Sequence, residues 1–399
     1  MASRQFSIPT VLRMVPNELL GQVFERLGHG GLGIDWKELK EREIEPVLRT
    51  INALPRCQRM AIETTLRSLF ELGCETGIQA IIEAAIRCGE PDLAQSMPRQ
   101  VGPYAKATWA WLHRREAFDK AVVIHQVDNL TWWRKRRDLP RVQPDTSPNA
   151  LDRLARSISG FLLRTQGRGQ ACTVEHFARA DGVDYFFAHP DDFVQSVTIH
   201  DEQGQLTPQT QRQTFVMVFA YCREDGTLEL FARVPGKLKS EIEKLFCETI
   251  LTSRLADATP APAYELDQLK DPSFDLATDP EDQVRVYVRR MRLDFSKQGR
   301  RILLEVPDSR DSIHEMIQDF LSAENVSLED AQVTLASFTF EFLPMEGRRP
   351  GTLTFDIAWP SHCSLRNQRP ERIDLALKYL KRWNIDVGRS RTLALKATG

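Results

Sequence analysis

The chain has 399 residues, of which 42% are hydrophobic and 27% are charged, and its formal net charge at pH 7 is only −2. This length favours two or three domains, and the composition excludes a disordered, collagen-like or low-complexity protein. The near-neutral charge excludes a strong overall field that would attract nucleic acid or an anionic membrane, so any such attraction must come from a local patch. The longest apolar stretches, such as residues 215–220, are too short for a bilayer span, and residues 1–4 do not begin a signal peptide. We therefore expect a cytoplasmic protein with no membrane partner.

The cysteines indicate neither a disulfide framework nor a zinc site. Their number is odd and no CxxC pair occurs; they are Cys57, Cys74, Cys88, Cys172, Cys222, Cys247 and Cys363. This pattern is typical of reduced, mostly buried thiols in a cytosolic protein. We expect no cofactor.

Helical periodicity dominates the first third of the chain. Leu19, Leu20, Val23 and Phe24 recur at helical spacing after Pro16, which suits a first helical turn. Similar stripes of apolar residues follow at 44–51, 62–70, 78–86 and 109–112. We expect an all-helical N-terminal domain over residues 1–139, ended by a Pro- and Ser-containing connector at 140–148.

A hairpin followed by a helix occurs three times in the rest of the chain. The strand, strand and helix ranges are 213–221, 227–233 and 239–251, then 284–295, 301–306 and 312–323, then 332–343, 352–359 and 370–383. A helix at 151–162 and strands at 172–177, 183–189 and 194–200 precede them. This order predicts an α+β fold in which antiparallel-sheet modules are built from repeated β-hairpin–helix units. We expect one module over residues 149–252, an acidic, proline-containing linker over 253–283, and a second module over 284–399.

Two long strands change the face on which their apolar residues lie. Val284, Val286 and Val288 alternate, and the pattern then slips by one residue at Arg289-Arg290; a second slip is expected near Ser337. Because side-chain direction in a strand has a period of two, each slip predicts a β-bulge and a bent sheet.

A run of aromatic and basic residues is the strongest functional lead. It comprises Trp132, Trp133, Arg134, Lys135, Arg136 and Arg137. Consecutive cations can release counterions from phosphates and tryptophans can stack on bases, so we expect binding to nucleic acid or another polyanion. The alternative is a helix end with a solvated basic face and two buried tryptophans.

A second basic region coincides with the hairpin at 284–306. It contains Arg285, Arg289, Arg290, Arg292, Lys297, Arg300 and Arg301, with only Asp294 among them as a counter-charge. This region could extend the polyanion-binding surface. Alternatively, its charges protect an exposed strand from edge-to-edge aggregation.

One polar cluster suits a metal ion by residue type but not by spacing. It consists of His176, His189, Asp191, Asp192 and His200, with residues 189–192 expected in a turn between strands. Two histidines and a carboxylate can bind a divalent metal, although Pro and Asp are also ordinary turn residues. The Pro190-Asp191 pair resembles the start of a nuclease motif, but the Glu-x-Lys that should follow is missing. No P-loop, nucleophile elbow or HExxH motif is present either, so we assign no catalytic residue.

Three segments resemble those of uncharacterised bacterial proteins of similar length. They are residues 16–20 with Asp35-Trp36, then 185–193, then 289–293. The resemblance implies a bacterial protein that belongs to an accessory or phage-defence locus.

These observations favour a non-catalytic binding or adaptor component of a bacterial multi-protein system. Its basic patches would contact nucleic acid or an acidic protein partner. Two alternatives are a metal-dependent hydrolase or nuclease that uses the His/Asp cluster, and a purely protein-binding scaffold. The sequence does not indicate an oligomeric state.

Overall fold

The computed structural model describes residues 5–30, 33–179, 182–201, 203–255, 261–295, 299–306, 312–324, 327–346, 348, 350–366 and 368–387. The chain divides into two compact units, Met1–Asn129 and Leu130–Gly399.

The first unit contains eight α-helices within its described residues. They are α1 (Ile8–Met14), α2 (Asn17–Arg26), α3 (Glu45–Ala53), α4 (Arg56–Leu72), α5 (Glu75–Arg87), α6 (Leu93–Ser96), α7 (Pro103–His113) and α8 (Arg115–Asp128). Each helix buries one apolar stripe, as Leu20, Val23 and Phe24 do on α2. Throughout the described part of the chain, none of the helices has both the length and the apolar character needed to cross a bilayer.

The second unit contains the strands and the remaining helices. In chain order its elements are β1 (Trp133–Arg136), α9 (Pro148–Gln166), β2 (Cys172–Ala178), β3 (Val183–His200), β4 (Leu206–Thr214), β5 (Met217–Cys222), β6 (Thr227–Ala232), α10 (Gly236–Ile250), β7 (Val284–Phe295), β8 (Arg300–Glu305), α11 (Ile313–Glu324), β9 (Gln332–Phe342), β10 (Gly351–Ala358), β11 (His362–Cys363) and α12 (Pro370–Arg382).

The eleven strands within the described residues join in one antiparallel sheet. Its order is β2-β3-β5-β6-β1-β11-β10-β9-β7-β8, and β4 pairs with β3 outside this path. The predicted α+β class with antiparallel pairing is confirmed. The strands at 172–232 and at 284–358 share one sheet because β1 pairs with β6 on one side and with β11 on the other.

Two hydrophobic cores lie on opposite faces of this sheet. The first packs α9 and α10 on β3, β5 and β6, and the second packs α11 and α12 on β7, β9 and β10. Arg134 pairs with Leu230 of the first core, whereas Trp133 pairs with Cys363, which itself pairs with Ile357 of the second core. Cross-strand partners share a face and consecutive residues alternate. The two helical layers are therefore on opposite sides of β1.

In the acidic segment at 253–283, the described residues from 261 onward pack on the second core, whereas Leu255 packs on the first. Ala263, Tyr264, Leu266 and Leu269 are buried in the second core, and a short 3-10 helix spans Asp267–Lys270. A β-bridge between Tyr264 and Asp386 connects this segment to the residues after α12. Burial of its apolar residues is what draws an otherwise acidic segment onto the module.

One of the two predicted bulges is confirmed and the other is displaced. The register of β7 against β9 shifts between Val288 and Arg290, as expected. The slip in β9 was predicted near Ser337, which is wrong: the second shift lies at Thr334, since Arg292 pairs with Leu335 and Leu293 with Val333. Ala336, between the predicted and the observed slip, belongs to the second core. Its small side chain hides the alternation of large apolar residues in the sequence.

The predicted turn at residues 189–192 is wrong, because β3 runs unbroken from Val183 to His200. Pro190 pairs with Cys172 of β2, and a register shift against β4 follows between Asp191 and Val194. Proline is tolerated at such irregular positions because a missing N–H costs no ladder bond there. Beyond this point, within the described residues, β3 pairs with β4 alone. We call Val194–His200 and Leu206–Arg212 the β3–β4 ribbon.

Candidate functional site

The aromatic and basic run forms a strand in the middle of the sheet. It is neither a helix end nor an open basic surface, because α8 stops at Asp128 and residues 133–136 form β1. Trp133 is buried; its indole N–H donates to the Leu130 carbonyl at 2.9 Å and its ring packs on Phe231. Trp132 has a positive φ of 66° and is 42% exposed. The two tryptophans therefore have different environments, although they are adjacent.

Two of the four cations turn toward α10 and share one carboxylate. Arg136 Nη1 donates to Glu243 Oε2 at 2.8 Å, and Arg134 Nε lies 3.2 Å from Glu243 Oε1. Side-chain exposure is 0% for Glu243, 3% for Arg136 and 14% for Arg134. Arg136 also donates to Asp138 at 2.8 Å, while Arg134 donates to Ser240 at 3.0 Å. These contacts attach α10 to the strand.

The other two cations turn toward the second core and share a different carboxylate. Lys135 Nζ donates to Asp386 Oδ2 at 3.3 Å, and Arg137 donates to Asp386 Oδ1. Arg137 also donates to the Ala263 carbonyl at 2.7 Å. Asp386 is buried, with a relative exposure of 3%. All four cations of the run therefore have carboxylate partners inside the unit.

Burial sets the direction of the pKa shift for two groups of this junction, Glu243 and His362, and is outweighed for a third, Arg136. Burial raises the pKa of Glu243, and the neighbouring Arg134 and Arg136 oppose that shift without cancelling it. The pKa of Arg136 is raised, because its bonds and charge interactions with Asp138 and Glu243 outweigh the effect of burial. Burial, together with Lys239 and Arg134, lowers the pKa of His362 to about 4. His362 is consequently neutral at pH 7 and adds no charge beside Arg134.

A further pair ties the same region together across the sheet. Arg366 donates to Glu229 of β6, and its guanidinium lies 4.1 Å from the centre of the Trp133 ring. Cations over an indole face are attracted by its quadrupole. The junction around β1 thus combines buried ion pairs with aromatic packing.

The second basic region is more exposed, but most of its arginines also have partners. Arg290 donates to Ser337 at 3.1 Å and to Asp356 at 2.9 Å, and Arg292 donates to Thr334 at 2.8 Å. Arg289 lies 3.6 Å from Glu305, with both side chains nearly half exposed. These contacts lie on the face of β7 that is opposite to the second core.

The remaining arginines of the second basic region have the most exposed side chains. Arg301 donates to Asp294 at 2.8 Å while its side chain stays 71% exposed. Arg285 and Arg300 are exposed, and within the described residues the structure shows no ion pair for either. Lys297 lies outside the described residues. Arg285, Arg300 and Arg301 are therefore the cations best placed to meet an external ligand.

The structure divides the predicted His/Asp cluster among separate contacts. His176 Nε2 lies 2.7 Å from Asp184, and Asp192 accepts from Arg168 at 2.7 Å. Asp191 accepts from the backbone N–H of Ala171. The other two members lie on β3, with His189 opposite Thr173 and His200 exposed at the end of the strand. Within the described ranges, no three His, Cys, Asp or Glu side chains are grouped so that they could hold a metal ion.

Sequence reasoning missed Glu243 and Asp386, the two buried acids of the junction. Glu243 left a signal: it precedes Phe246, Cys247 and Ile250 at helical spacing, so it occupies an apolar-stripe position of α10. A carboxylate there predicts a buried cation partner. Asp386 follows the last helix and carries no comparable pattern.

A cysteine–histidine pair in the first unit was also missed. Cys74 is the N-cap of α5, and its Sγ lies 4.0 Å from Nε2 of the buried His125 on α8. The two residues are 51 positions apart, and no local pattern connects them. Only the fold brings them together.

Comparison with known protein families gives no match, and comparison with curated proteins gives none either.

Proposed function

We propose that the chain is a binding or adaptor protein that contacts a protein partner through the β3–β4 ribbon. One observation carries this proposal: within the described residues the two strands of the ribbon pair only with each other, and most of their side chains are exposed. The ribbon extends about 20 Å by the rise of a strand. A two-stranded ribbon of this kind is marginally stable in water. Covering by a partner would stabilise it.

The chemistry of the ribbon favours a protein over a nucleic acid. Its residues are mostly Gln, Thr, Ser and Val, and Arg212 is its only permanent cation. Phosphate binding needs several Lys or Arg side chains, which the ribbon lacks. Val194 and Leu206 are 51% and 67% exposed, and the outer backbone edges are open to strand addition. An extended segment of a partner protein fits these properties.

The environment of the His/Asp cluster supports a binding role over a metal-dependent hydrolase. His176 and Asp192 have partners in Asp184 and Arg168, so each would have to give up an existing contact before it could ligate a metal. Two of the cations in the leading polyanion patch, Arg134 and Arg136, are held by Glu243. Both clusters are therefore occupied by internal contacts, whereas most side chains of the ribbon are exposed.

Site-specific photocrosslinking tests the ribbon as a contact surface. A photoreactive phenylalanine analogue replaces Thr210 on the ribbon in one variant and Arg156, an exposed residue of α9, in the control. In cells of the source organism we expect a discrete crosslinked protein from position 210 and none of the same mass from position 156. Identical products from both positions, or no product from position 210, would contradict the proposal.

A polyanion contact through the hairpin β7–β8 is the second candidate. The observation that favours it is the exposure of Arg285, Arg300 and Arg301 on two strands that contain six arginines and two acids. If these arginines contact phosphates, binding of oligonucleotides should weaken with salt. The log–log slope should fall by about 0.7–0.9 for each contact removed.

Fluorescence anisotropy at increasing salt measures this slope. The variant Arg285→Gln/Arg301→Gln should lower it, while Arg156→Gln on α9 is the matched control. No binding to single- or double-stranded oligonucleotides at low salt would dispose of this candidate.

A further inference from the structure

The first unit contains a thiol whose surroundings differ from those of the other cysteines. Cys74 caps the N-terminus of α5 and accepts the backbone N–H of Gly77 at 3.4 Å. Its Sγ also lies 3.4 Å from the Thr76 hydroxyl and 4.0 Å from His125 Nε2. The Glu71 carbonyl, 3.5 Å from Sγ, accepts from the thiol form, whereas the donors that converge on the sulfur at this helix N-terminus stabilise the thiolate.

The titration of the thiol agrees with this geometry. Burial raises the pKa of Cys74, but hydrogen bonds from His125, Thr76 and Gly77 and the charge interaction with His125 outweigh burial and lower it to about 7. In contrast, burial raises the pKa values of Cys172, Cys247 and Cys363 to about 12. About half of Cys74 is therefore thiolate near neutral pH, and those three thiols are not.

His125 gives an independent indication of a site. Its side chain is only 9% exposed, and its Nδ1 has no hydrogen-bond partner among the described residues. Buried polar atoms are nearly always paired, so the unpaired Nδ1 of a histidine whose Nε2 faces a thiol calls for a functional explanation. A histidine that carries a proton on Nε2 can pass it to a leaving group formed at the sulfur.

We propose that Cys74 and His125 form a reactive thiol site that reduces small hydroperoxides. The thiolate attacks the terminal oxygen of the hydroperoxide; an S–O bond forms and the O–O bond breaks. The sulfur is oxidised to a sulfenic acid, and the peroxide is reduced to an alcohol, or to water when it is hydrogen peroxide. The leaving oxygen takes its proton from Nε2 of His125, which becomes neutral.

Cys88, at the other end of α5, is too far away to form a disulfide with the sulfenic acid of Cys74. Cys88 is the C-cap of α5, so the rise of the helix separates it from Cys74 by about 20 Å. A disulfide needs Cα atoms within roughly 7 Å. We assign the completion of the cycle to a low-molecular-weight thiol: its sulfur bonds to that of Cys74, and water leaves. The product is a mixed disulfide that further thiol reduces.

Trapping of the sulfenic acid in the intact protein tests this proposal. The full chain is treated with hydrogen peroxide and dimedone at pH 7, and the labelled cysteines are identified by mass spectrometry. The exposed Cys57 is the internal reference. We expect labelling at Cys74 about fivefold faster than at a thiol of ordinary pKa, since the larger thiolate fraction outweighs its lower nucleophilicity. Labelling of Cys74 no faster than that of Cys57 would overturn the proposal.

The variant His125→Gln tests whether the histidine itself, and not only the fold around it, speeds the reaction of Cys74. The variant should label at Cys74 at least several-fold more slowly, whereas Cys57→Ser should leave labelling at Cys74 unchanged. Iodoacetamide alkylation of the wild-type chain supplies a readout that needs no variant. Its rate at Cys74 should rise through a midpoint near pH 7 if the geometry is as described. A midpoint at the ordinary value of 9.0 would contradict the proposal.

Discussion

Glu243 of α10 accepts a hydrogen bond from Arg136 of β1 at 2.8 Å, and both side chains are almost completely buried. Removing one member of a buried ion pair leaves the other charge without compensation, which typically costs about 3–5 kcal/mol. Glu243→Gln should therefore lower the free energy of unfolding of the second unit by several kcal/mol, as measured by urea denaturation.

A matched control for this prediction lies on the same helix. Glu241 is exposed and pairs with the neighbouring Lys244, so Glu241→Gln should change the free energy of unfolding by no more than about 0.5 kcal/mol. Equal effects of the two substitutions would show that the pair of Arg136 and Glu243 does not stabilise the junction.

The two cores of the sheet should fold only together. β1 pairs with β6 and with β11, and its cations reach Glu243 on one face and Asp386 on the other. Fragments 149–252 and 284–387 both lack β1. We expect neither fragment alone to give a cooperative unfolding transition by circular dichroism, while fragment 130–387 should give one. Cooperative unfolding of both short fragments would contradict this prediction.

His362 should make stability depend on pH on the acid side. Its pKa in the folded chain is lowered to about 4 from an ordinary value of 6.5, through burial and the charges of Lys239 and Arg134. The unfolded chain therefore binds the proton first as pH falls. Stability is complete above pH 6.5 and decreases down to about pH 4, by an amount on the order of 2–3 kcal/mol.

The variant His362→Gln should remove this dependence. Urea denaturation at pH 7 and pH 4.5 measures it, and His200→Gln, at an exposed position on β3, is the control. A pH dependence that is the same in His362→Gln and in the wild-type chain would show that another group is responsible.

Deletion of the β3–β4 ribbon should leave the rest of the fold intact. Its side chains are largely exposed and pair across the ribbon only, so it contributes little to either core. Joining Phe193 to Gln213 through Asn-Gly, a sequence that suits a tight hairpin turn, should change the free energy of unfolding by about 0.5 kcal/mol or less. A loss of several kcal/mol would mean that the ribbon belongs to the structural core.

The helices and strands could be predicted from the sequence where apolar residues recur at a regular spacing. The range 284–295 coincides with β7, and helix 370–383 differs from α12 by one residue, because the pattern and the flanking turns agree there. Pro190 interrupts such a pattern, and it misled the prediction since a register shift lets β3 continue past it.

The sequence shows the charge of the basic run directly, but it does not show what the cations contact. Consecutive cations look alike in a sequence whether they face solvent or buried acids. The two buried acids that hold these cations, Glu243 and Asp386, are 107 or more positions away along the chain, and only the fold brings them close. The ribbon gave no motif at all, because its exposure follows from strand pairing: within the described residues its two strands pair only with each other.

Hydrogen–deuterium exchange along β3 and β4 tests the proposed binding role most directly. The chain is measured alone and again in the complex recovered from cells of the source organism. The proposal predicts that amides at 194–200 and 206–212 exchange rapidly in the isolated chain and become protected in the complex. Unchanged exchange at these amides, with protection elsewhere in the chain, would contradict it.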